Sequence, residues 1–378
     1  MPDAVPHVLS DDLVAVLGGG QLGRMLGLAG IPLGLSFRFL DPSPDATARA
    51  VGDLVVGALD DVAAAAKAAN GATVVTYEWE GVPAHTAVAL AADVPVRPSA
   101  RALEVAQDRL VEKSTFRRLG IATAPFRAVD DRPSLDAAIA ELGLPAVLKT
   151  RRGGYDGKGQ AVLRDAGDAD TAWRTIGDAP LILEGFVPFE RELSIVAVRG
   201  LSGVVECWPV VENAHDAGIL RVTRAPAPGL DAALQARAEA CIRPLLDELQ
   251  YVGVACVELF DVDGALLANE MAPRVHNSGH WTIEGSDTSQ FENHLRAVLG
   301  WPLGSTAARG VSVMVNCIGA MPDREFVLAI PGAHLHDYEK PARRARKVGH
   351  VTVCAADEAT LEPRRARVEE LVRASADG

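Results

Sequence analysis

The part of this sequence best suited to bind phosphate is a glycine-rich loop with basic residues in and before it. Residues 152–160 read RGGYDGKGQ, and Lys149 precedes them at the end of an apolar run. Glycines allow backbone N–H groups to approach an anion, and a lysine supplies positive charge. The loop is not a Walker A motif, because no Lys-Ser or Lys-Thr follows the glycines. We predict a phosphate-binding loop; the alternative is a solvent-exposed glycine-rich turn.

A predicted hairpin brings two glutamates and an asparagine near each other. Residues 251–260 and 265–271 read as two strands around the turn DVDG, and they carry Glu258, Asn269 and Glu270. Carboxylate and amide oxygens bind hard divalent cations, and Mg²⁺ takes further ligands from water and substrate phosphates. A two- or four-residue turn would place the two glutamates on opposite faces, so a shared metal site requires a bulge. The alternative is that these acids are simply solvated.

Two segments after the hairpin are rich in hydrogen-bond donors and positive charge. Residues 274–281 read RVHNSGHW, which suits a small oxyanion or a phosphate monoester. The same residues also fit a polar loop that satisfies its own backbone. Residues 343–347 read RRARK and precede an apolar strand that could carry Lys347 toward a site. Taken alone, this basic run favours a solvated face.

A glycine turn near the N-terminus matches the dinucleotide fingerprint G-x-G-x-x-G. Residues 17–23 read LGGGQLG, with Gly18, Gly20 and Gly23 at the three glycine positions. An acidic residue, Asp41, follows near the end of the next apolar run. This arrangement is typical of a Rossmann domain that binds NAD. An NAD(P)-dependent oxidoreductase is therefore one hypothesis, and it predicts nicotinamide binding without ATP hydrolysis.

The sequence predicts alternating strands and helices, and these elements must position the residues described above. The first third has a βαβαβ pattern, which predicts a parallel sheet, and a long amphipathic helix follows it. The predicted strands cover residues 13–17, 35–40, 73–77, 145–150, 181–184, 192–198, 203–211, 251–260, 265–271, 312–318 and 348–354. The predicted helices cover residues 21–29, 60–70, 100–119, 231–249, 291–299 and 361–374.

The composition argues against several classes of function. The chain has 378 residues and a formal net charge of −13, so a non-specific nucleic-acid surface is not expected. No run approaches the roughly 18 apolar residues of a transmembrane helix, and the N-terminus lacks a signal-peptide pattern. The five scattered cysteines are interpreted as buried free thiols in a reducing compartment. We predict a cytoplasmic protein with no membrane or nucleic-acid partner.

Four segments of the chain occur together in a recognisable order. They read GGQLGRM at 19–25, GYDGKGQ at 154–160, NEMAPRVHNSGHW at 269–281 and RKVGH at 346–350. Together they resemble the N5-carboxyaminoimidazole ribonucleotide synthetase family of the ATP-grasp superfamily, from about residue 13 to residue 354. The resemblance implies an α/β chain with an ATP-grasp fold. Its implied parts are a Rossmann-like N-terminal domain at 1–115, an ATP-grasp domain at 116–305 with a flexible lid at about 122–190, and a small C-terminal domain at 306–378.

The family's reaction converts ATP, bicarbonate and 5-aminoimidazole ribonucleotide to N5-carboxyaminoimidazole ribonucleotide, ADP and phosphate, in purine biosynthesis. Bicarbonate is a poor electrophile, because hydroxide is a poor leaving group. Phosphorylation gives carboxyphosphate, which releases CO₂ beside the exocyclic amine of the ribonucleotide. The protein must hold the reactants close and exclude water. The resemblance implies ATP and Mg²⁺ as cofactors, with Mn²⁺ as a substitute for Mg²⁺, and a homodimer.

The resemblance also implies roles for individual residues. Those implied to act in the chemistry, around bicarbonate or carboxyphosphate, are Tyr155, Asp156, Lys158, Arg274, His276, Asn277, Ser278 and Lys347. Those implied to bind ATP are Arg109, Lys149, Gly154, Tyr155, Asp156, Gly157, Lys158, Gly159, Gln160, Glu184, Gly185, Phe186, Val187, Glu192, His215, Asn269 and Glu270. Those implied to bind the ribonucleotide are Gly20, Gln21, Leu22, Glu78, Arg346 and Lys347. The implied metal ligands are Glu258 and Glu270.

Under this interpretation the glycine turn serves a different ligand from NAD. Its backbone amides and the following helix N-terminus would face the 5′-phosphate of the ribonucleotide. Asp41 would then close its strand beside Pro42 instead of binding a ribose.

One departure and two alternatives accompany the resemblance. Many relatives carry arginine where this chain has Lys158, and lysine keeps the charge but loses the bidentate fork. Within the superfamily, a formate-using ribonucleotide transformylase or another carboxylate–amine ligase is the runner-up, and the segment 274–281 argues against it. A non-catalytic nucleotide-binding regulator would require the loss of a catalytic position, and each position named above is retained.

Overall fold

The N-terminal part of the chain is built around a four-stranded parallel sheet. The structure is a computed structural model that describes residues 12–154 and 159–376. The elements of this part are β1 Leu13–Leu17, α1 Gln21–Gly30, β2 Ser36–Asp41, β3 Asp53–Val56, α2 Val62–Ala69, β4 Val74–Tyr77, α3 Ala84–Leu90, α4 Ala100–Ala106 and α5 Arg109–Arg118. The strand order is β3-β2-β1-β4, and all pairs are parallel. The central strand β1 reads LVAVL, as expected for a strand buried on both faces. The predicted parallel sheet is confirmed.

The middle part of the chain forms a smaller antiparallel sheet with two helices. Its elements are β5 Phe126–Val129, α6 Arg132–Leu142, β6 Ala146–Thr150, β7 Gln160–Leu163, α7 Ala166–Ile176 and β8 Leu181–Gly185. The strand order is β5-β8-β6-β7. Strands β6 and β7 flank the glycine-rich loop, and Lys149 on β6 pairs with Gln160 on β7. The two ends of that loop are therefore held side by side.

The rest of the chain builds one nine-stranded sheet. Its elements are β9 Arg191–Arg199, β10 Val205–Cys207, β11 Val211–Asp216, β12 Ile219–Ala225, α8 Ala232–Glu248, β13 Gly253–Val262, β14 Ala265–Ala272, α9 Thr282–Gly285, α10 Gln290–Leu299, β15 Val311–Ile318, α11 Arg324–Leu328, β16 Ala333–Asp337, β17 Lys347–Ala355 and α12 Glu358–Ala376. The order is β14-β13-β9-β11-β12-β15-β17-β16, and β10 also pairs with β9. Because β12 pairs with β15, the C-terminal strands continue the sheet that carries the hairpin β13–β14.

A shared core joins the N-terminal sheet to the large sheet. Leu26 of α1 and Phe39 of β2 belong to the same buried cluster as Trp281 and two residues of α10, Phe291 and Leu295. All five are 0–1% exposed. Helix α10 therefore lies between the two sheets and is held by both.

The prediction of one helix over residues 100–119 is wrong, because the helix is broken at Asp108. The Asp108 carboxylate accepts hydrogen bonds from the backbone N–H groups of Leu110 (3.0 Å) and Val111 (3.4 Å), and so caps α5. It also accepts two hydrogen bonds from Arg151. An aspartate that satisfies free N–H groups favours a new helix start over continuation. The break places Arg109 in the first turn of α5.

The strand predictions also need correction. The strand predicted over residues 203–211 is two strands, β10 and β11, separated by Trp208, Pro209 and Val210. Proline has no N–H group to donate to a neighbouring strand, so pairing is interrupted there. The strands β3, β5, β7, β12 and β16 have no counterpart among the predicted strands. Within the part of the chain that the structure describes, no helix has the length and apolar character needed to cross a membrane.

His294 on α10 is expected to make stability depend on pH. Burial lowers the pKa of its imidazole from 6.5 to about 4, so the folded chain keeps it neutral. Between these values the unfolded chain binds a proton that the folded chain does not. The free energy of unfolding should therefore fall as the pH drops from about 6.5 to 4, by up to about 3 kcal/mol.

Chemical denaturation of the wild type and of His294→Gln at several pH values tests this effect. Glutamine does not titrate, so the stability advantage of the wild type should shrink as the pH falls through this window. A difference that stays constant with pH would contradict the expectation.

Candidate active site

The hairpin β13–β14 has the bulge that a shared metal site requires. Glu258 pairs with Glu270, whereas the next residue, Leu259, pairs with Ala268. Asn269 is therefore the extra residue of a β-bulge. Directly opposed residues of an antiparallel pair project from the same face, so the two glutamates face one region.

The two opposed glutamates differ in charge state. Burial and the neighbouring charge of Glu270 raise the pKa of Glu258 to about 7. Burial also acts to raise the pKa of Glu270, but Arg109 outweighs it and lowers that pKa to about 2. The Arg109 Nη1 atom donates to the Glu270 Oε2 atom at 2.7 Å. One carboxylate is thus firmly ionised, and a cation beside both would favour ionisation of the second.

A buried group of charges lies between α5, β6 and β8. The Glu184 Oε2 atom is 3.0 Å from the Lys149 ammonium and 3.3 Å from the Lys113 ammonium. Burial acts to raise the pKa of Glu184, but the two lysines outweigh it and the pKa is lowered. The Glu184 Oε1 atom is buried and has no hydrogen-bond partner among the described residues. Glu184 therefore offers an ionised acceptor at the end of β8.

The residues after Glu184 are hydrogen-bonded to the segments that precede β5 and β6. The N–H group of Gly185 donates to Pro125 at 2.8 Å, and that of Phe186 donates to Pro145 at 3.2 Å. The Phe186 side chain is 46% exposed. An exposed aromatic beside a buried acceptor suits a planar heterocycle.

Arg274, which follows the hairpin, contacts the N-terminal domain. Its Nε atom forms a short ion pair with the Glu80 carboxylate, and its Nη1 atom donates to the Val275 carbonyl at 2.9 Å. Burial acts to lower the pKa of Arg274, but Glu80 and Glu78 raise it. The guanidinium is therefore a fixed positive charge between the large sheet and the end of β4.

His276 lies between the donor-rich loop and the opposed glutamates. The Ser278 N–H group donates to the His276 Nδ1 atom at 3.3 Å, so Nδ1 is an acceptor and the ring hydrogen belongs on Nε2. The Nε2 atom is 3.4 Å from the Glu258 Oε1 atom. Burial and the charge of Arg274 lower the pKa of His276 to about 3. The imidazole is therefore neutral and can donate a hydrogen bond.

The C-terminal strands and β11 complete this region. Asn277 and Asn316 of β15 exchange two amide hydrogen bonds of 3.1 and 2.7 Å. The His215 Nδ1 atom is 2.8 Å from the Glu192 carboxylate. Burial acts to lower the pKa of His215, but the nearby carboxylates, Glu192 first, outweigh it and the pKa is raised. Lys347 opens β17, is half-buried, and contributes to the pKa values of His215, Glu258 and His276. The basic run is exposed at Arg343 and Arg344, as predicted for a solvated face, and becomes half-buried at Lys347.

At the glycine turn, the carboxylates of Glu78 and Asp41 take the backbone amides of Gly19, Gly20 and Gly23, which the sequence instead predicts to face the 5′-phosphate of the ribonucleotide. Glu78 accepts hydrogen bonds from the N–H groups of Gly20 (2.9 Å) and Gly23 (3.2 Å) at the start of α1. A side chain at Gly20 would place its Cβ 2.8 Å from the Glu78 Oε1 atom, so glycine is needed for this contact. Asp41 accepts from Gly19 and Ser43, both at 2.8 Å, and closes β2. Burial raises the pKa of Glu78.

Comparison with known proteins covers nearly the whole chain. The N5-carboxyaminoimidazole ribonucleotide synthase of Pseudomonas aeruginosa is 53% identical over 361 residues, which are 96% of this chain and 99% of that protein. The crystal structure of N5-carboxyaminoimidazole ribonucleotide synthetase from Thermus thermophilus is 56% identical, has a TM-score of 0.92, and covers 95% of this chain and 98% of that one. This chain belongs to the N5-carboxyaminoimidazole ribonucleotide synthase family.

The domain families agree with this membership. Residues 12–107 match the ribonucleotide synthetase preATP-grasp domain, residues 114–291 the ATP-grasp domain, and residues 312–364 the phosphoribosylaminoimidazole carboxylase C-terminal domain. The predicted ATP-grasp fold is confirmed, and the chain is an ATP-grasp ligase of this synthase family. The NAD(P)-dependent oxidoreductase hypothesis is wrong, because the glycine turn belongs to a preATP-grasp domain.

A structure of a synthase from Aspergillus clavatus was solved in complex with ADP and 5-aminoimidazole ribonucleotide. It is 32% identical to this chain, has a TM-score of 0.88, and covers 96% of this chain and 100% of that one. The two chains therefore share the fold over nearly their whole length.

The structure brings most of the predicted site residues of this synthase-family chain into two neighbouring groups. The first surrounds the opposed glutamates and consists of Arg109, Lys149, Glu184, Glu192, His215, Glu258, Asn269, Glu270, Arg274, His276, Asn277, Ser278 and Lys347. The second surrounds the glycine turn and consists of Gly20, Gln21, Leu22 and Glu78. Arg346 is half-buried, and its guanidinium lies 3.5 Å from the Pro341 carbonyl.

The glycine-rich loop is only partly described. Tyr155, Asp156, Gly157 and Lys158 lie outside the described residues, so their predicted roles stay predictions. Gly154, Gly159 and Gln160 flank them. Gly159 has φ +71°, a left-handed backbone that glycine favours, and its carbonyl accepts a hydrogen bond from the Thr150 N–H group at 2.8 Å.

Sequence reasoning missed four charged residues that lie among or beside the predicted site residues. Lys113 and Glu112 are each 1% exposed, and Glu112 accepts from the Met271 N–H group at 2.6 Å. Their signal was available, because both lie within one helical turn of the apolar Phe116 on the buried side of α5. Glu80 and Lys340 had no comparable signal. Glu80 forms an ion pair with Arg274, and Lys340 forms a short contact with Gln21.

Proposed function

We propose that this chain carboxylates 5-aminoimidazole ribonucleotide with bicarbonate and ATP, through carboxyphosphate, in purine biosynthesis. One distance carries this proposal. The His276 Nε2 atom lies 3.4 Å from the Glu258 carboxylate, and Glu258 is paired with Glu270 across the hairpin. A small oxyanion held by the donor-rich loop would therefore lie beside phosphates held at the glutamates. The solved relative that binds ADP and 5-aminoimidazole ribonucleotide supports the same substrates.

The proposed chemistry has two stages. A bicarbonate oxygen attacks the γ-phosphorus of ATP, the bond to the β-phosphate oxygen breaks, and ADP leaves with the electron pair. Carboxyphosphate then releases phosphate and CO₂, the amine nitrogen attacks the carbon, and that nitrogen loses one proton. His276, Asn277, Ser278 and Arg274 are proposed to hold the oxyanion, because hydrogen-bond donors fixed before the reaction stabilise charge at little cost.

The proposed metal cofactor is Mg²⁺, for which Mn²⁺ could substitute. The oxygen atoms around the bulge fit it, because Glu258 and Glu270 oppose each other and the buried Asn269 Oδ1 atom lacks a hydrogen-bond partner among the described residues. Hard cations prefer such oxygens and complete their shells with phosphate and water. When bound, the metal would neutralise phosphate charge during transfer.

Nucleotide and ribonucleotide roles complete the proposal. Arg109, Lys149 and the loop Gly154–Gln160 would hold the triphosphate, and Tyr155, Asp156 and Lys158 would close over the reacting groups. The base would lie at Glu184–Val187, and Glu192 and His215 would bind the ribose side. Gly20, Gln21, Leu22, Glu78, Arg346 and Lys347 would bind the aminoimidazole ribonucleotide.

The proposal also includes the organisation of the protein. Residues 1–115 would bind the ribonucleotide, residues 116–305 would bind ATP with a lid at about 122–190, and residues 306–378 would supply Lys347. We propose that the enzyme acts as a homodimer in the cytoplasm, where ATP and nucleotide intermediates are available.

A phosphate-release assay tests the proposed function. ATP, Mg²⁺ and bicarbonate are supplied with and without 5-aminoimidazole ribonucleotide. We expect the ribonucleotide to raise the rate of phosphate release at least about tenfold, since transfer of CO₂ drains the intermediate. A rate that does not change with the ribonucleotide would overturn the proposal.

A further inference from the structure

Helix α10 carries two buried polar residues, Gln290 and His294, one helical turn apart. They are 0% and 1% exposed. Residues four apart on a helix project from the same side. Each of the two side chains bonds to a segment that holds a different part of the proposed site.

Gln290 clamps the backbone of His276. The His276 N–H group donates to the Gln290 Oε1 atom at 2.9 Å, and the Gln290 Nε2 atom donates to the His276 carbonyl at 2.7 Å. A Cβ atom on Gly279 would lie 2.6 Å from the same Oε1 atom, so the glycine leaves room for the amide. The donor-rich loop is therefore wrapped around one buried carboxamide.

His294 ties the end of the N-terminal sheet to the large sheet. The Val254 N–H group on β13 donates to the His294 Nδ1 atom at 3.1 Å, so the ring hydrogen is on Nε2. The Nε2 atom is 2.8 Å from the Thr76 Oγ1 atom and donates to it. Thr76 lies on β4, two residues before Glu78, which caps the glycine turn.

We propose that α10 aligns the two reacting partners, with Gln290 and His294 as positioning residues. This inference rests on the proposed function. Gln290 fixes the loop that holds bicarbonate, and His294 fixes the strand that leads to the ribonucleotide site. Because α10 is packed into the core shared by both sheets, one rigid turn sets the distance between carbon donor and amine.

Alignment should decide what happens to carboxyphosphate after it has formed, and it should leave the binding of ATP unchanged. When carboxyphosphate breaks down, the C–O bond to phosphate breaks and phosphate keeps the electron pair. The CO₂ either accepts the amine lone pair, with loss of one proton from nitrogen, or escapes and is hydrated to bicarbonate. The second outcome hydrolyses ATP without forming product, so a misaligned enzyme wastes ATP.

The test measures phosphate released per carboxylated ribonucleotide formed in Gln290→Met and Thr76→Val. Methionine has a similar size to glutamine but cannot make the clamp, and valine is nearly isosteric with threonine. The wild type should give a ratio near one. We expect both variants to raise the ratio about threefold or more, while KM for ATP stays within about twofold.

Asn293→Leu on the same helix is a matched control. Asn293 is also 0% exposed, and its carboxamide makes the same two-bond clamp, but with the backbone of Gly304 (3.0 and 2.7 Å). This variant should lower the melting temperature but leave the ratio near one. A raised ratio in the control would overturn the inference, because the effect would then be general loosening.

The remaining outcomes are also decisive. A ratio near one in Thr76→Val would overturn the alignment role of the His294 contact and with it the proposal. Because valine nearly matches the shape of threonine, this variant can be measured even if Gln290→Met fails to fold. An unaltered enzyme that forms no carboxylated product would instead overturn the proposed function. The two failures are therefore distinguishable in the same assay.

Discussion

Glu270→Ala should lower the rate of ATP-dependent carboxylation by about 1000-fold, the size expected when a major electrostatic stabiliser of phosphoryl transfer is lost. Glu270 is the carboxylate whose pKa is lowered to about 2, so it is ionised at any working pH. Its loss removes one of two proposed metal ligands and leaves Arg109 without its 2.7 Å partner. The residual rate should depend on Mg²⁺ at much higher concentrations than in the wild type.

Steady-state rates over a range of Mg²⁺ and Mn²⁺ concentrations check this expectation. Glu239→Ala is a suitable control. Among the described residues Glu239 forms its ion pair with Arg243 of the same helix α8, and it lies outside the proposed site. Its rate and metal dependence should match the wild type. An unchanged rate in Glu270→Ala would remove Glu270 from the proposed ligand set.

Lys347→Ala should damage carboxylation far more than ATP binding. The proposed role of Lys347 is to bind the ribonucleotide and reach the carboxyphosphate region, and a charge-assisted hydrogen bond contributes about 1.5–3 kcal/mol. We therefore expect kcat/KM for the ribonucleotide to fall about 10- to 150-fold. The dissociation constant of ADP, measured by calorimetry, should change less than about threefold.

Arg344→Ala tests whether loss of any charge in the basic run has the same effect. Arg344 lies three residues before Lys347 in the sequence and is exposed. Both its kcat/KM for the ribonucleotide and its ADP affinity should stay close to the wild type. Equal losses of both quantities in Lys347→Ala would indicate a structural role and contradict the prediction.

The elements that the sequence predicted occur in the predicted order, because apolar patterns and turn residues are local signals. The strands β3, β5, β7, β12 and β16 have no counterpart among the predictions. The strand β1 and the hairpin β13–β14 were predicted nearly to their ends. The helix break at Asp108 was not, since the aspartate fits an amphipathic helix until its bonds to Arg151 are known. Such bonds join residues far apart in sequence, and no local pattern reports them.

The site shows the same division between local and distant information. The need for a bulge followed from counting residues in the turn, and Asn269 supplies it. Counting residues in a turn does not identify which charged groups pair with each other. Lys113 meets Glu184, and Arg274 meets Glu80, only because separate sheets come together.

The ion pair between Arg109 and Glu270 has a thermodynamic consequence for ligand binding. Under the proposed roles, a metal ion takes Glu270 and frees Arg109, and a phosphate takes Arg109 and frees Glu270. Each ligand thus releases the group that the other needs, so their binding free energies are linked and each strengthens the other reciprocally. A nucleotide without metal must displace the Glu270 carboxylate from Arg109. A metal ion without nucleotide must displace the Arg109 guanidinium from Glu270. The protein would therefore discriminate against either ligand by itself and select the metal–nucleotide complex.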